Sequence, residues 1–489
     1  MVLNRIFARI MSVGEIQRQS IATFVSQIIL TFVGFLSTMY FAHTVGSGVL
    51  GAYFLFTAYF GIINLVTDGG FGGAAIKRIS EGEEQNAYFT AFVVLRTVLT
   101  VLIIGLILAF RSYAGLDSQI LDWLILALIV ALFYSTIYAG IAGRSKMGIA
   151  AVGTISQNLS RIFLQVIAVF LGYGLAGLAG GFIAGFIGAA LIQFKFFDLN
   201  FERFEWRHIT SLASFSFWLF LTSAGVILYS HVDVIMIGYF LEESDVGVYQ
   251  VVFQFTTIAV ILAIAIKTTL WPKISRWGKT QDTDSAERAL SRALTFSFLM
   301  AVPIVAGGAL LGERMLYFFY GAGFAWGYTT LVILFCAQLI NVFQTFFTMC
   351  LGALDRQRDA FHVTAISSGA NIIFNLILIP VIGIEGAAIA TVVTMALNAL
   401  LAKRVLSTII QVKLDTRSIL NIFKATAAMS VFVGVYIYLI PVTSVWLTLL
   451  PIAVGGMIYG LLILKLDPAI YSDLKDISTR MNLPWPKLL

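Results

Sequence analysis

Tyr229–Ser275 reads YSHVDVIMIGYFLEESDVGVYQVVFQFTTIAVILAIAIKTTLWPKIS, two long apolar runs divided by the acidic break Glu242-Glu243-Ser244-Asp245. About 20 apolar residues suffice for a helix to cross the hydrocarbon core of a bilayer. His231, Asp233 and Lys267 sit inside these runs. Ionisable groups at membrane depth are costly, which makes each a candidate functional position. The stretch also has an upstream echo. Gly51-Ala52-Tyr53 corresponds to Gly247-Val248-Tyr249, and Arg78-Ile79-Ser80 to Lys273-Ile274-Ser275.

Working outward, the echo becomes a repeat. Gly51/Gly247, Tyr53/Tyr249 and Arg96/Arg292 share an offset of 196 residues. Later in each half, Gly140/Gly352 and Arg144/Arg356 share an offset of 212, and Gly174-Leu175-Ala176-Gly177 matches Gly383-Ile384-Glu385-Gly386. Six spans per half give both halves the same orientation, a parallel repeat about an axis along the membrane normal, as known among transporters. The expected organisation is a six-helix lobe over 1–209, a second over 210–408, and two extra helices with a cytoplasmic tail over 409–489.

Composition fixes the solvent. The chain has 489 residues, 59% hydrophobic and 11% charged, with a mean hydropathy of +0.93. A soluble domain carries about 25% charged residues. The fold class is therefore all-α integral membrane, with about 14 apolar runs of spanning length. The spans must be helices, because lipid satisfies no open backbone group. Alternate loops carry Lys77/Arg78, Arg144/Lys146, Lys195/Arg203/Arg207 and Lys273/Arg276/Lys279/Arg288, then Arg356/Arg358 and Lys403/Arg404/Lys413/Arg417. The opposite loops hold only Arg111 and Arg314. This positive-inside bias puts both termini in the cytoplasm of a multi-pass cell-membrane protein. The net charge of +6 is accounted for by orientation and does not point to nucleic acid. Residues 1–20 read as a short interfacial helix before a retained first span. Cys336 and Cys350 lie roughly 21 Å apart along one helix, too far for a disulfide.

Familiar catalytic motifs fail on context. Gly172-Tyr173-Gly174-Leu175-Ala176-Gly177 fits a dinucleotide fingerprint as a string but follows an apolar helix, so it reads as a turn between spans five and six. Gly278-Lys279-Thr280 lacks the leading glycine of a phosphate loop, since Lys273 stands there. His43, His208, His231 and His362 have no metal-ligand spacing, and no Gly-x-Ser-x-Gly elbow exists. The reading is a transporter rather than an enzyme, with no cofactor. Gly177, Gly181, Gly185 and Ala189 recur at steps of four and read as helix packing within the first lobe.

The deep ionisable residues are cation-rich: Arg96, Arg161, Lys267 and Arg292 against Asp68 and Asp233. Each also has a plainer reading. Arg96, Arg292 and Lys267 can snorkel to headgroups, and Asp68 can pair with Lys77 and Arg78. Arg161 lies closest to the middle of its span. His231 and Asp233 are two positions apart, so at most one of them faces a cavity. A wet cavity with this balance attracts anions, and arginine suits phosphate through paired hydrogen bonds. Candidate substrate-binding residues are Arg96, Arg161, Lys267, Arg292, His231 and Asp233. Asp68 and Asp233 are candidates for ion coupling.

The sequence resembles the polysaccharide-biosynthesis flippases, the Wzx-like translocases of lipid-linked oligosaccharides in the multidrug/oligosaccharidyl-lipid/polysaccharide exporter superfamily. The resemblance lies in Asp68-Gly69-Gly70-Phe71 before Lys77-Arg78, and in Asp233 followed by Ile237-Gly238-Tyr239-Phe240 and Val246-Gly247-Val248-Tyr249. The turns at Gly352–Arg358 and Gly383–Gly386 extend it to about residues 15–465. It implies two six-helix lobes in a V, opening alternately to each side, with spans one, two, seven and eight around a central cavity. The implied activity is flipping of a polyprenyl- or dolichyl-diphosphate-linked oligosaccharide to the outer leaflet. The implied setting is a monomer among membrane lipids, serving glycan polymerase or ligase machinery. The alternative is an ion-coupled multidrug exporter of the same superfamily.

Overall fold

The computed structural model describes residues 15–111 and 118–480. Among them every regular element is helical. The expected interfacial helix over 1–20 has its first 14 residues outside the described part; from Glu15 onward the chain is already within α1.

The first elements are α1 (Glu15–Asp68), α2 (Phe71–Ser80), α3 (Gln85–Ala109), α4 (Ser118–Gly143), α5 (Met147–Phe170) and α6 (Gly174–Phe194). A helix of 54 residues would run roughly 80 Å, far beyond a hydrocarbon core of about 30 Å. Gly46 interrupts it at φ 76°, ψ 179°, a backbone state that only glycine adopts without strain. α1 therefore contains the first two expected spans. The turn between α5 and α6 is made by Gly172 and Gly174 at φ 87° and 50°, as the sequence indicates.

α7 (Trp206–Phe240) follows, then α8 (Glu243–Thr256), a 3-10 turn (Thr257–Val260) and α9 (Ile261–Thr280). The acidic break of the opening stretch is a helix start. Asp245 accepts a hydrogen bond from the Glu242 N–H at 3.0 Å, which satisfies an orphan donor at the beginning of α8. The remainder is α10 (Thr283–Tyr320), α11 (Tyr328–Ala353), α12 (Gln357–Leu406), α13 (Thr416–Leu439), α14 (Val445–Leu466) and α15 (Pro468–Arg480). α12 doubles back at Ile382–Gly383, where Gly383 takes φ 65°, so Gln357–Ile382 and Ile384–Leu406 form two arms. Both cysteines lie on α11 as free thiols.

Eleven helices among the described residues are long and apolar enough to cross a membrane, or twelve if α7 counts as one span. The sequence count of fourteen differs for physical reasons. α1 joins two runs, and residues 15–30 fall outside that test. α5 falls short because Thr154, Ser156, Gln157, Asn158, Ser160, Arg161 and Gln165 crowd one helix.

The chain forms two compact units, Met1–Ile227 and Leu228–Leu489. In the first, α5 packs along α6, and α4 packs on α6. The small residues of α6 make this possible. A Cβ at Gly181 would lie 2.5 Å from the Gln165 side chain, and one at Gly185 would lie 2.8 Å from the Gln157 carbonyl and 2.9 Å from Arg161 Cβ. Ala74, Ile79, Phe89, Phe92 and Leu212 form a core joining α2, α3 and the start of α7. In the second unit, α11 packs against α12 and α10, while α13 joins α10 and α14.

Candidate functional site

Two polar constellations stand within the apolar helices, one in each unit. In the second unit Asp233 on α7 is half-buried, and its hydrogen-bond partners among the described residues are all neutral. Its Oδ2 accepts from Tyr249 Oη at 2.9 Å and from Thr391 Oγ1 at 2.9 Å, and its Oδ1 accepts from Asn375 Nδ2 at 2.6 Å. Asn375 also donates to Asn371 Oδ1 at 3.1 Å, and Asn371 donates to Thr394 Oγ1 at 3.5 Å. The amides sit on one arm of α12, the threonine hydroxyls on the other and Tyr249 on α8, so the reversal at Gly383 helps assemble the cluster. Asn375 Oδ1 is buried with no hydrogen-bond partner among the described residues. A carboxylate without a cation, beside an unfilled amide oxygen, is a set of oxygen donors suited to a proton or a hard cation.

The first unit treats the same repeat positions differently. Ser37 stands where Asp233 stands in the second half, and Tyr53 where Tyr249 stands, by the offset of 196. Tyr53 Oη accepts from Gln165 Nε2 at 2.9 Å. By the offset of 209 that relates Gly174 to Gly383, Phe182 occupies the place of Thr391, and it packs edge-on against Phe56 and Phe60. Aromatic rings thus fill the volume that the second unit gives to hydroxyls.

The polar constellation of the first unit is Asp68, Asn64 and Arg96. Arg96 lies near the middle of α3 and is 3% exposed. Its guanidinium forms an ion pair with Asp68 Oδ1 and donates to Asn64 Oδ1 at 3.1 Å. Asp68 is therefore not paired with Lys77 or Arg78. Arg78 instead holds Glu81 at 2.9 Å, and Lys77 lies over the Phe215 ring at 4.1 Å from its centre. Arg96 does not snorkel either. A carboxylate is within reach inside the unit, and a buried guanidinium needs one.

The other candidates are not drawn into either cluster. Arg161 on α5 is half-buried, and among the described residues it has no ion pair and its buried Nε has no hydrogen-bond partner. It shares a helix face with Thr154, Gln157, Asn158 and Gln165, opposite a shallow apolar groove lined by Val152, Leu159, Phe163 and Ile192. Lys267 on α9 and His231 on α7 are half-buried, and neither has a hydrogen bond or ion pair among the described residues. Arg292 is exposed on α10. Its repeat mate Arg96 has Asp68, but the equivalent position in the second half is Ile264.

A charged rim closes one end of the first unit. Asp198 binds Arg144 at 3.0 Å and Lys146 at 2.8 Å. These hydrogen bonds hold its carboxyl below the usual carboxylate range. His208 Nδ1 accepts from the Glu205 N–H at 2.9 Å, so Nε2 carries the proton and donates to Glu84 at 3.0 Å. That bond, with help from Arg207, lowers the pKa of Glu84.

Asn64, Tyr249, Asn371, Asn375 and Thr391 are not ionised at neutral pH, so charge within an apolar run does not mark them. Two signals in the sequence point to them. Tyr249 stands in the repeat opposite Tyr53, and Asn371 and Asn375 are amides one turn apart in an otherwise apolar run.

Comparison with known proteins bears on the whole chain. The family signature described as "Polysaccharide biosynthesis protein" matches residues 16–277, and the MatE signature matches 219–377. The chain is 28% identical over 403 residues to the "Probable low-salt glycan biosynthesis flippase Agl15" of Haloferax volcanii, covering 82% of this chain and 85% of that one. It is 27% identical over 463 residues to the "Probable flippase AglR" of the same organism, covering 93% and 96%. Its fold is similar to the solved "Lipid II flippase MurJ, inward closed conformation", with a TM-score of 0.75 at 19% identity over 93% of this chain and 99% of that one.

Proposed function

Because the chain belongs to the polysaccharide biosynthesis protein family, we propose that it is a flippase for a lipid-linked oligosaccharide. The substrate is a glycan on a polyprenyl or dolichyl diphosphate, moved from the cytoplasmic to the outer leaflet by alternating access. The observation that carries this reading is likeness along nearly the whole chain to AglR and, over most of it, to Agl15, which is named as a flippase of glycan biosynthesis. In this reading α1–α14 supply fourteen spans, six to each repeat and two beyond, with both termini in the cytoplasm of the cell membrane. The protein works as a monomer and delivers its glycan to polymerase or ligase machinery.

The site residues then take separate roles. Arg161 and Lys267 have no carboxylate partner among the described residues, which leaves their charge for a diphosphate. Arg292 meets the headgroup at the exposed surface of α10, and His231 contacts sugar. Asp233, with Tyr249, Asn375 and Thr391 around it, holds the coupling ion. The match to the MatE signature favours a second reading, ion-coupled drug export. Few carboxylates are available to a cationic drug, and resistance assays on expressing cells separate the two.

The test is restoration of surface glycan in a cell lacking the protein. The wild type restores it, and Arg161→Ala and Lys267→Ala, at equal expression, lower it by tenfold or more. Full restoration by both variants overturns the role given to these cations.

A further inference from the structure

Asp68, Asn64 and Arg96 hold a feature that charge pairing alone does not use. Asn64 and Asp68 are one helical turn apart on α1, and both are half-buried, with about a quarter of the Asp68 side chain accessible. Arg96 stands behind them. It engages one oxygen of each, Oδ1 of Asp68 and Oδ1 of Asn64, the latter at 3.1 Å. Fixing these two oxygens fixes what remains. With its carbonyl turned to Arg96, Asn64 presents its Nδ2 donor outward. Asp68 presents Oδ2, whose one hydrogen bond among the described residues comes from the Gly72 N–H at 3.4 Å. A bond of that length is weak.

The result is a donor and an acceptor side by side at the depth of the middle of α3, held by a buried guanidinium. Such a pair cannot face hydrocarbon, where unmet polar groups are costly. It is also nearly neutral, because Arg96 cancels the charge of Asp68. That makes it a poor site for a diphosphate and for a coupling cation. Neighbouring hydroxyls, each able to give and to receive a hydrogen bond, fit it well. The second repeat has Val260 and Ile264 at the equivalent positions, so the feature occurs once per chain.

We propose that Asn64 and Asp68 form a subsite for the sugar hydroxyls of the transported glycan, with Arg96 as the positioning residue. The proposal rests on the flippase reading and deepens it. It takes Arg96 out of contact with the diphosphate and Asp68 out of ion coupling.

The experiment uses the full-length protein in detergent and two probes. One is polyprenyl diphosphate, which bears no sugar. The other is the glycan-charged lipid that accumulates in cells lacking this protein. Asn64→Ala and Asp68→Asn are expected to weaken binding of the glycan-charged lipid about tenfold each, as for lost hydrogen bonds to a buried substrate group. Binding of the bare diphosphate stays within about twofold, and Arg161→Ala weakens both probes. Equal losses on both probes would mean a structural staple and overturn the subsite. Undiminished affinity for the charged lipid, or a change in sodium dependence on Asp68→Asn, would overturn it as well. Asp68→Asn leaves Arg96 without a counter-charge, so Asn64→Ala is the deciding variant if the former does not fold. Failure of the parent reading has a different signature: wild-type protein that binds neither lipid.

Discussion

At the scale of single residues, the two halves have spent their duplicated positions differently. Arg96 found Asp68 and went inside, whereas Arg292, whose half has Ile264 at the position equivalent to Asp68, stays at the surface. Tyr53 and Tyr249 both point into polar contacts, but only Tyr249 meets a carboxylate. Asp233 is thus set among amides and hydroxyls from α8 and from the two arms of α12. If it holds the coupling ion, sodium should raise the melting temperature of wild-type protein, and Asp233→Asn should abolish that rise while leaving the fold intact. A sodium response unchanged in Asp233→Asn would move ion coupling elsewhere. Asn375→Leu removes one of the three donors to Asp233, and thermal unfolding should show a loss of about 1–3 kcal/mol.

At the scale of elements, glycine decides where helices end and how closely they approach. Gly185 lets α6 lie against α5, where an added Cβ would meet the Gln157 carbonyl at 2.8 Å. Backbone cannot yield as a flexible side-chain end can, so Gly185→Leu should destabilise the protein by about 1–3 kcal/mol, read as a lower melting temperature. The same change would displace Arg161, whose Cβ lies 2.9 Å from that point. At the charged rim, Asp198 ties the α4–α5 turn to the segment after α6 through Arg144 and Lys146. Its pKa is lowered in the folded state, so its stabilisation is complete above the ordinary carboxylate range. That stabilisation is lost as pH falls through the lowered value. The pair is solvent-exposed and worth roughly 0.2–1 kcal/mol. Asp198→Asn should therefore be slightly less stable than wild type at neutral pH and indistinguishable from it in acid, as measured by melting temperature across pH.

At the scale of the whole molecule, the proposed orientation rests on the basic loops. Single cysteines introduced by Glu83→Cys and Thr408→Cys, in a background without Cys336 and Cys350, should label only from the cytoplasmic side. Tyr173→Cys and Thr443→Cys should label only from outside. Labelling of Glu83→Cys and Tyr173→Cys from the same side would contradict the topology. Each of the four positions is exposed, so the readout reports sidedness rather than burial. The exporter reading belongs to this scale too, because the fold is shared. On the proposed reading, Arg161 and Lys267, which have no ion pair among the described residues, suit an anionic headgroup better than a cationic drug.

The sequence by itself determined the solvent, the helices, the repeat and the family resemblance. Hydropathy, loop charge and glycine spacing are local properties, written at the positions where they act. The turn at Gly172–Gly174 and the reversal at Gly383 were legible for that reason. It also marked Arg96, Asp68 and Asp233, since charge in an apolar run stands out in one dimension. Only the tertiary structure decided which charges are already spent. Arg96 and Asp68 are 28 residues apart, and Asp233 and Thr391 are 158 apart, so neither pairing follows from periodicity. Asn64, Asn375 and Thr391 carry no charge to draw attention, and become informative only when folding sets them beside a group that does.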